Sequence, residues 1–226
     1  MVKIKNNPHL DKFSLTFERL AKETKGVYNG AGVNMPFDEV ITHIDEFVTT
    51  TASRNIQFTN GEYLVTRFFT NAEPDKQAVY WIMEDIMSDV QSFSGKRLEI
   101  EMVLDNGKRI DVVRANPKLW IEYKWSSTSE TVSRSKFLDE FVSRDLTKID
   151  NLNNLQWRIK GEKLTKNKVV EYLSSPEGRI ELKKISATQA NRILGRTDLS
   201  DLNKDAIADA FISYFNNDTN FTSIFK

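Results

Sequence analysis

Asp111, Glu122 and Lys124 stand in a stretch, Lys108–Trp125 (KRIDVVRANPKLWIEYKW), that is otherwise built to form strands. Alternate side chains of a strand share a face, so Glu122 and Lys124 point the same way and Tyr123 points opposite. Burying an unpaired charge costs several kcal/mol, so charged groups inside core-forming strands are paired, metal-bound or catalytic. Two carboxylates offer the hard oxygen ligands that suit Mg²⁺ or Mn²⁺, and a lysine beside them can orient a water or stabilise developing negative charge. The blander alternative is an exposed strand aspartate and a same-face ion pair contributing under about 1 kcal/mol.

Composition removes the competing chemistries. Among 226 residues there is no cysteine, which excludes disulfides, thiolate nucleophiles and cysteine-based zinc sites. His9 and His43 are the only histidines, too few for a histidine-rich metal site. With 39% hydrophobic and 28% charged residues, the chain is expected to be a soluble globular protein. Lys plus Arg equals Asp plus Glu at 32, so a nucleic-acid partner needs a local basic surface, not a global charge. The start, MVKIKNNPHLDKF, lacks the apolar core of a signal peptide, and no run approaches the roughly 18 apolar residues of a membrane span. The chain is expected to be cytoplasmic, or a piece delivered by something else, with no membrane partner.

The elements that must position the three residues follow from periodicity. Asp11–Lys22 reads as an amphipathic helix, and GVYNGAGVNMP after it reads as a glycine-rich loop. Pro36 opens a helix through Val48, and Arg54–Thr70 reads as a hairpin about Asn60-Gly61 or as a loop with packed aromatics. A helix from Pro74 to about Phe93 buries Val79, Ile82, Met83, Ile86 and Val90 and carries Glu84, Asp85 and Asp89. Three strands follow: Arg97–Leu104, Lys108–Arg114 and Lys118–Trp125, joined by turns at Asp105-Asn106-Gly107 and Asn116-Pro117. A helix over Ser135–Asn151 then leads to a strand, Leu155–Lys160, which a crossover adds to the sheet. Helices are expected at Leu164–Ser174, Arg179–Ile185, Ala187–Leu194 and Lys204–Asn216. Trp120, Tyr123 and Trp125 are expected to cover the sheet rather than stack bases.

This helix, three strands, helix, strand order, with an acid in the second strand and E-x-K in the third, resembles the PD-(D/E)xK nuclease superfamily. The resemblance implies an α/β fold with a restriction-endonuclease-like core (αβββαβ, a mixed sheet flanked by helices) and helical additions at both ends. It places a mainly helical region at 1–73, the nuclease core at 74–160 and a helical extension at 161–226. It also implies a Mg²⁺- or Mn²⁺-dependent endonuclease with Asp111, Glu122 and Lys124 as catalytic residues, in which Asp111 and Glu122 bind the metal. A further metal ligand is expected on the first helix, with Glu84 placed by the family pattern and Asp85 and Asp89 as rivals. Gln156 in the last strand is a further candidate. FLDEFVSRDLTKIDNLNNLQW, Phe137–Trp157, resembles the restriction-endonuclease-like toxin domains of bacterial polymorphic toxins through Arg144, Asp145, Leu146, Gln156 and Trp157. That implies antibacterial competition and a cognate immunity protein. DNA is the expected substrate, with RNA, transfer RNA included, as the alternative. A non-catalytic nuclease-fold binding or immunity-type module is the reading from another class. Local positive charge for a nucleic-acid backbone is sought at KGEKLTKNK, Lys183-Lys184, Arg192 and Arg196.

Overall fold

A computed structural model describes residues 27–30, 33–65, 73–103, 109–125, 132–161 and 164–226. The helix expected over Asp11–Lys22 and the Asp105-Asn106-Gly107 turn lie outside the described residues. The chain divides into two compact units, 1–117 and 118–226. Both combine strands with helices, and strand pairing is mixed, as expected for the α/β class.

In the first unit, β1 (Val27–Gly30) and β2 (Val33–Pro36) form an antiparallel ladder. Within the glycine-rich segment, Val27–Gly30 and Val33–Pro36 are therefore paired strands where a loop is expected. Pro36 ends β2, and helix α1 runs over Phe37–Ser53, with Asp38 and Glu39 in the first turn where the helix dipole favours acids. The helix runs past the expected boundary at Val48, and near its end the Thr51 hydroxyl donates to the carbonyl of Phe47 at 2.8 Å.

The expected hairpin about Asn60-Gly61 is not formed. β3 (Gln57–Thr59) pairs in parallel with β4 (Arg97–Val103), and residues 62–65 are helical. Asn60 does take the left-handed conformation that an Asn-Gly pair favours, with φ 59, but uses it to leave β3 for a helical turn. The expected helix from Pro74 is broken at Asp89 into α2 (Glu73–Ser88) and α3 (Val90–Phe93). The Asp89 carboxylate accepts the Ser92 hydroxyl at 2.5 Å, a local bond that competes with continuing the helix. β4 pairs antiparallel with β5 (Arg109–Arg114), and Val40, Ile44, Phe47, Ile82, Met83, Ile86, Leu98, Ile110 and Val112 are buried.

In the second unit, β6 (Leu119–Trp125) and β7 (Leu155–Lys160) are parallel, the pairing a crossover predicts. The connection is not a regular α-helix. α4 (Arg134–Phe137) passes into a π-helical segment, Leu138–Asp145, and then α5 (Leu146–Lys148). Phe225 and Lys226 lie along the other side of β7, where Lys226 N donates to Trp157 O and Ile159 N to Lys226 O. The packing centre is aromatic: Phe137, Phe141, Trp157 and Phe215 are wholly buried, and the Phe141 ring meets the Trp157 ring edge-on at 5.2 Å.

The outer helices are α6 (Lys166–Ser174), α7 (Pro176–Leu182), α8 (Ala187–Leu194), α9 (Lys204–Asn216) and α10 (Asp218–Ile224). Pro176 ends α6 as expected, but it also opens α7, where proline is pre-organised and its missing N–H costs nothing. Gly178 lies inside α7 because a Cβ there would sit 2.2 Å from Tyr172 O and 2.8 Å from Leu173 O, both backbone atoms. Gly178→Ala is expected to lower stability by about 1–3 kcal/mol, the cost of overpacking, despite alanine's better helix propensity. A urea midpoint equal to or above wild type would show that α6 and α7 can part without penalty.

Candidate functional site: a buried ion cluster beside the E-x-K strand

The parallel register decides what shares a face with Glu122 and Lys124. Glu122 is level with Trp157 and Lys124 with Ile159, whereas Ile121 is level with Gln156 and Tyr123 with Arg158. Level residues of adjacent strands point to the same side. Gln156 is therefore on the face opposite Glu122 and Lys124, where its side-chain oxygen accepts from Arg158 at 3.2 Å. The expectation that Gln156 reaches the site is corrected: the residue beside it is Trp157. Trp120 and Tyr123 are buried on opposite faces of β6, in keeping with a covering role.

The site gathers five charged side chains. Lys124 Nζ lies 2.6 Å from Glu122 Oε2 and 2.7 Å from Glu140 Oε2, so one ammonium spans two carboxylates. Arg144 Nη2 lies 2.8 Å from Glu122 Oε2, and Arg144 Nε donates to Asp145 Oδ1. The Trp157 Nε1–H donates to Asp145 Oδ2 at 2.8 Å, while its ring lies 4.9 Å from the Lys124 ammonium, within cation–π range. Glu122 is 1% exposed and Asp145 0%, with Lys124 and Arg144 at 8% and 7%. These are not the solvated ion pairs of a surface strand.

The π-helix explains how Glu140, Arg144 and Asp145 converge. At about 100° per residue, an α-helix would turn residue 145 some 140° away from residue 140. Bonding from i to i+5 inserts an extra residue per turn, so residues four and five positions on both return to the starting face. Ser143 supports this winding by donating to Leu138 O, five residues back, at 3.0 Å, and its hydroxyl also bonds Glu181 at 2.9 Å. Such irregular turns recur at functional sites.

Three carboxylates meet two cations, and the excess is felt in their protonation. Burial, then the charge of Glu122, push the Asp145 carboxyl up to about 7 against the pull of Arg144. Burial pushes Glu140 up as well, but the Lys124 ammonium, with Lys136 and Arg144, carries it below its ordinary value. Between about pH 4 and 7 the folded chain then keeps on Asp145 a proton that the unfolded chain has released, so this group's contribution to stability falls as pH rises. Subtracting Asp145→Asn from wild type isolates it: the difference in unfolding free energy is expected to fall by up to about 1.4 kcal/mol per pH unit in that window and to level off above it. A difference that grows with pH in urea titrations would mean that Arg144 outweighs burial.

In and beside this cluster four buried polar atoms lack a hydrogen-bond partner among the described residues: Glu122 Oε1, Trp120 Nε1, Glu140 Oε2 and Arg144 Nη2, the last two meeting their counter-ions as close ion pairs without hydrogen-bond geometry. An acceptor left dry costs about 1–3 kcal/mol, more when charged. Glu122 thus uses one oxygen for both cations and leaves the other open.

The remaining predicted site residues lie in the first unit. Asp111 is half-buried on β5, between the fully buried Ile110 and Val112. The register that pairs Ile100 with Val112 and Met102 with Ile110 brackets Glu101 against Asp111, and Glu101 has φ 53, left-handed for a residue with a side chain. Backbone of this kind costs about 1–3 kcal/mol and is found where structure serves function. The Tyr80 hydroxyl donates to the Glu84 carboxylate, and the Tyr80 ring stacks on His43 at 4.3 Å. Burial lowers the His43 pKa against the charges of Glu84 and Glu46. Asp85 is half-buried, and Asp89 sits at the α2–α3 break. No group of three or more His, Asp or Glu side chains arranged to hold a metal ion is found among the described residues.

Sequence reasoning did not place Glu140, Arg144, Asp145 or Trp157 in the site. A signal was present in the acid–arginine–acid pattern on a helix followed by a tryptophan in the last strand, but its convergence depends on the π winding. The basic positions of the outer helices are charge-compensated: Lys166, Lys183, Lys184, Arg192 and Arg196 each lie between 2.5 and 3.5 Å from a carboxylate. Among the described residues no helix is long and apolar enough to cross a membrane. Comparison with protein families, with curated proteins and with solved structures gives no match.

Proposed function

We propose that this chain hydrolyses phosphodiester bonds with a divalent cation held at Glu122, with DNA as substrate and RNA as the alternative. The observation that carries the reading is the dry, unpartnered Oε1 of Glu122, on the strand face that also presents Lys124. A hard cation fits that oxygen, and it fits a cluster with one carboxylate more than it has cations. A bound Mg²⁺ would polarise a water and neutralise charge on the phosphate. Glu122 would hold the ion through Oε1 while Oε2 stays on Lys124 and Arg144. Lys124, a three-donor ammonium, can release one carboxylate and turn that donor to a phosphate oxygen. Asp111 belongs to the proposal through the sequence pattern alone, and its part is tested by substitution. An antibacterial setting with an immunity protein is part of the same proposal and rests on the Phe137–Trp157 segment.

A second reading has its own observation. Lys124 spans Glu122 and Glu140, and Arg144 spans Glu122 and Asp145, so the cluster can serve as a fixed polar core in a binding or immunity-type module. Incubation of the chain with plasmid, single-stranded DNA and total RNA, in Mg²⁺ or EDTA, separates the two. The nuclease reading expects EDTA-sensitive cleavage; intact nucleic acid in every Mg²⁺ reaction leaves the second reading standing.

A further inference from the structure

We propose that the buried Arg144–Asp145 pair is a positioning element that sets the aim of the Glu122 carboxylate; the inference rests on the metal-dependent reading above. The chain of contacts runs in one direction from rigid to functional. Trp157, wholly buried in the aromatic centre, fixes Asp145 Oδ2 at 2.8 Å. The other oxygen of Asp145 takes the Nε–H of Arg144, which sets the plane of the guanidinium. The far arm of that plane, Nη2, meets Glu122 Oε2 at 2.8 Å. Oε2 is thus in close ion-pair contact with both Arg144 and Lys124, while Oε1 keeps no hydrogen-bond partner among the described residues. Arg144 and Asp145 themselves touch no reacting atom; they act through Glu122, as partners that orient ligands do in metal sites.

The geometry requires an arginine. A lysine carries the same charge but is a single point with no second edge, so it can serve Glu122 or Asp145 and cannot hold one relative to the other. Asp145 is likewise specified by having two oxygens for two donors at right positions, which an asparagine cannot supply without facing a donor with its own amide.

The test uses the whole chain and Mn²⁺ alone as probe, read by electron paramagnetic resonance, alongside Mg²⁺-dependent cleavage, near-ultraviolet circular dichroism and urea unfolding. Arg144→Lys is expected to keep the near-ultraviolet spectrum, to weaken Mn²⁺ affinity about 10–100-fold, and to lower cleavage in parallel. Ile207→Ala, which opens a cavity at a buried position of α9 outside the five charged side chains, controls for lost stability and is expected to keep Mn²⁺ affinity. If Arg144→Lys does not fold, Trp157→Phe, which deletes the donor to Asp145 but keeps a ring, is read in its place with a smaller loss in the same direction. Should wild type bind Mn²⁺ and cut while Arg144→Lys, or Trp157→Phe in its stead, matches it in affinity, the positioning role is overturned and the nuclease reading survives. A loss of affinity in Ile207→Ala equal to that in the test variant also overturns it, since stability alone then accounts for the effect. Wild type that neither binds Mn²⁺ nor cuts overturns the nuclease reading, and the positioning role with it.

Discussion

Arg144→Met is expected to destabilise the chain by about 3–5 kcal/mol. Methionine fills much of the same space, so the cost is electrostatic. It leaves Asp145, with no exposed surface, and Glu122, with 1% exposure, short of the cation that both share. The penalty has a ceiling, because a buried carboxylate deprived of its cation takes up a proton instead of remaining charged. Asp145 is already raised to about 7 by burial and by Glu122, so the loss in Arg144→Met should be smaller at pH 5 than at pH 8. Neutralising the partners as well, in the triple variant Glu122→Gln, Arg144→Met, Asp145→Asn, should recover most of the stability, since replacing a whole buried ion cluster is often neutral. Urea midpoints at the two pH values check both claims. A loss under about 1 kcal/mol, flat with pH, would place the cluster in effective contact with water.

How much of this was legible in the sequence depends on the range over which each signal acts. The strand carrying Glu122 and Lys124 and the parallel strand Leu155–Lys160 were read almost to their ends, because β-forming residues alternate there between turn residues. Helices such as Ala187–Leu194 were equally plain: Ser186 and Gln189 form a capping box, and Gly195, at φ 64, closes the far end. The paired strands Val27–Gly30 and Val33–Pro36 were hidden by glycines that signal turns wherever they occur. Thr59-Asn60-Gly61 misled in the opposite way, since the same left-handed asparagine can lead out of a strand into a helix. The same-face pairing of Glu122 with Lys124 follows from a period of two and was visible at once. Its other partners were not visible, because Phe137, Leu138, Phe141 and Val142 fit an α stripe as well as a π one. Only the i to i+5 winding turns Asp145 inward beside Glu140, and hydrophobic spacing does not encode that choice over two turns. Gln156 and Trp157 were exchanged for a related reason: a strand's two faces cannot be told apart until its register with β6 is known.

Glu122→Gln should lower Mg²⁺-dependent cleavage by about 10³-fold or more while leaving the fold intact, which makes it the sharpest separator of the two functional readings. The amide has the shape of the carboxylate but is a poor ligand for a hard dication. Its effect on stability is expected to be small, because the remaining charges balance. Lys124 keeps Glu140 at 2.7 Å, Arg144 keeps Asp145, and the surplus negative charge is gone. Asp145 also loses the neighbour that raises its carboxyl, so it should titrate nearer the ordinary aspartate range. A polar-core reading predicts something different from the same variant: an altered midpoint, no change in Mn²⁺ binding, and no cleavage to lose. Lys124→Ala should also abolish cleavage, at the additional expense of stability, since it removes the ammonium that Glu122 and Glu140 share. Asp111→Asn decides whether the acid of the preceding strand belongs to the same machinery. Loss of cleavage comparable to Glu122→Gln, with an unchanged urea midpoint, is the expected result, and full activity in Asp111→Asn would restrict the site to the cluster around Glu122.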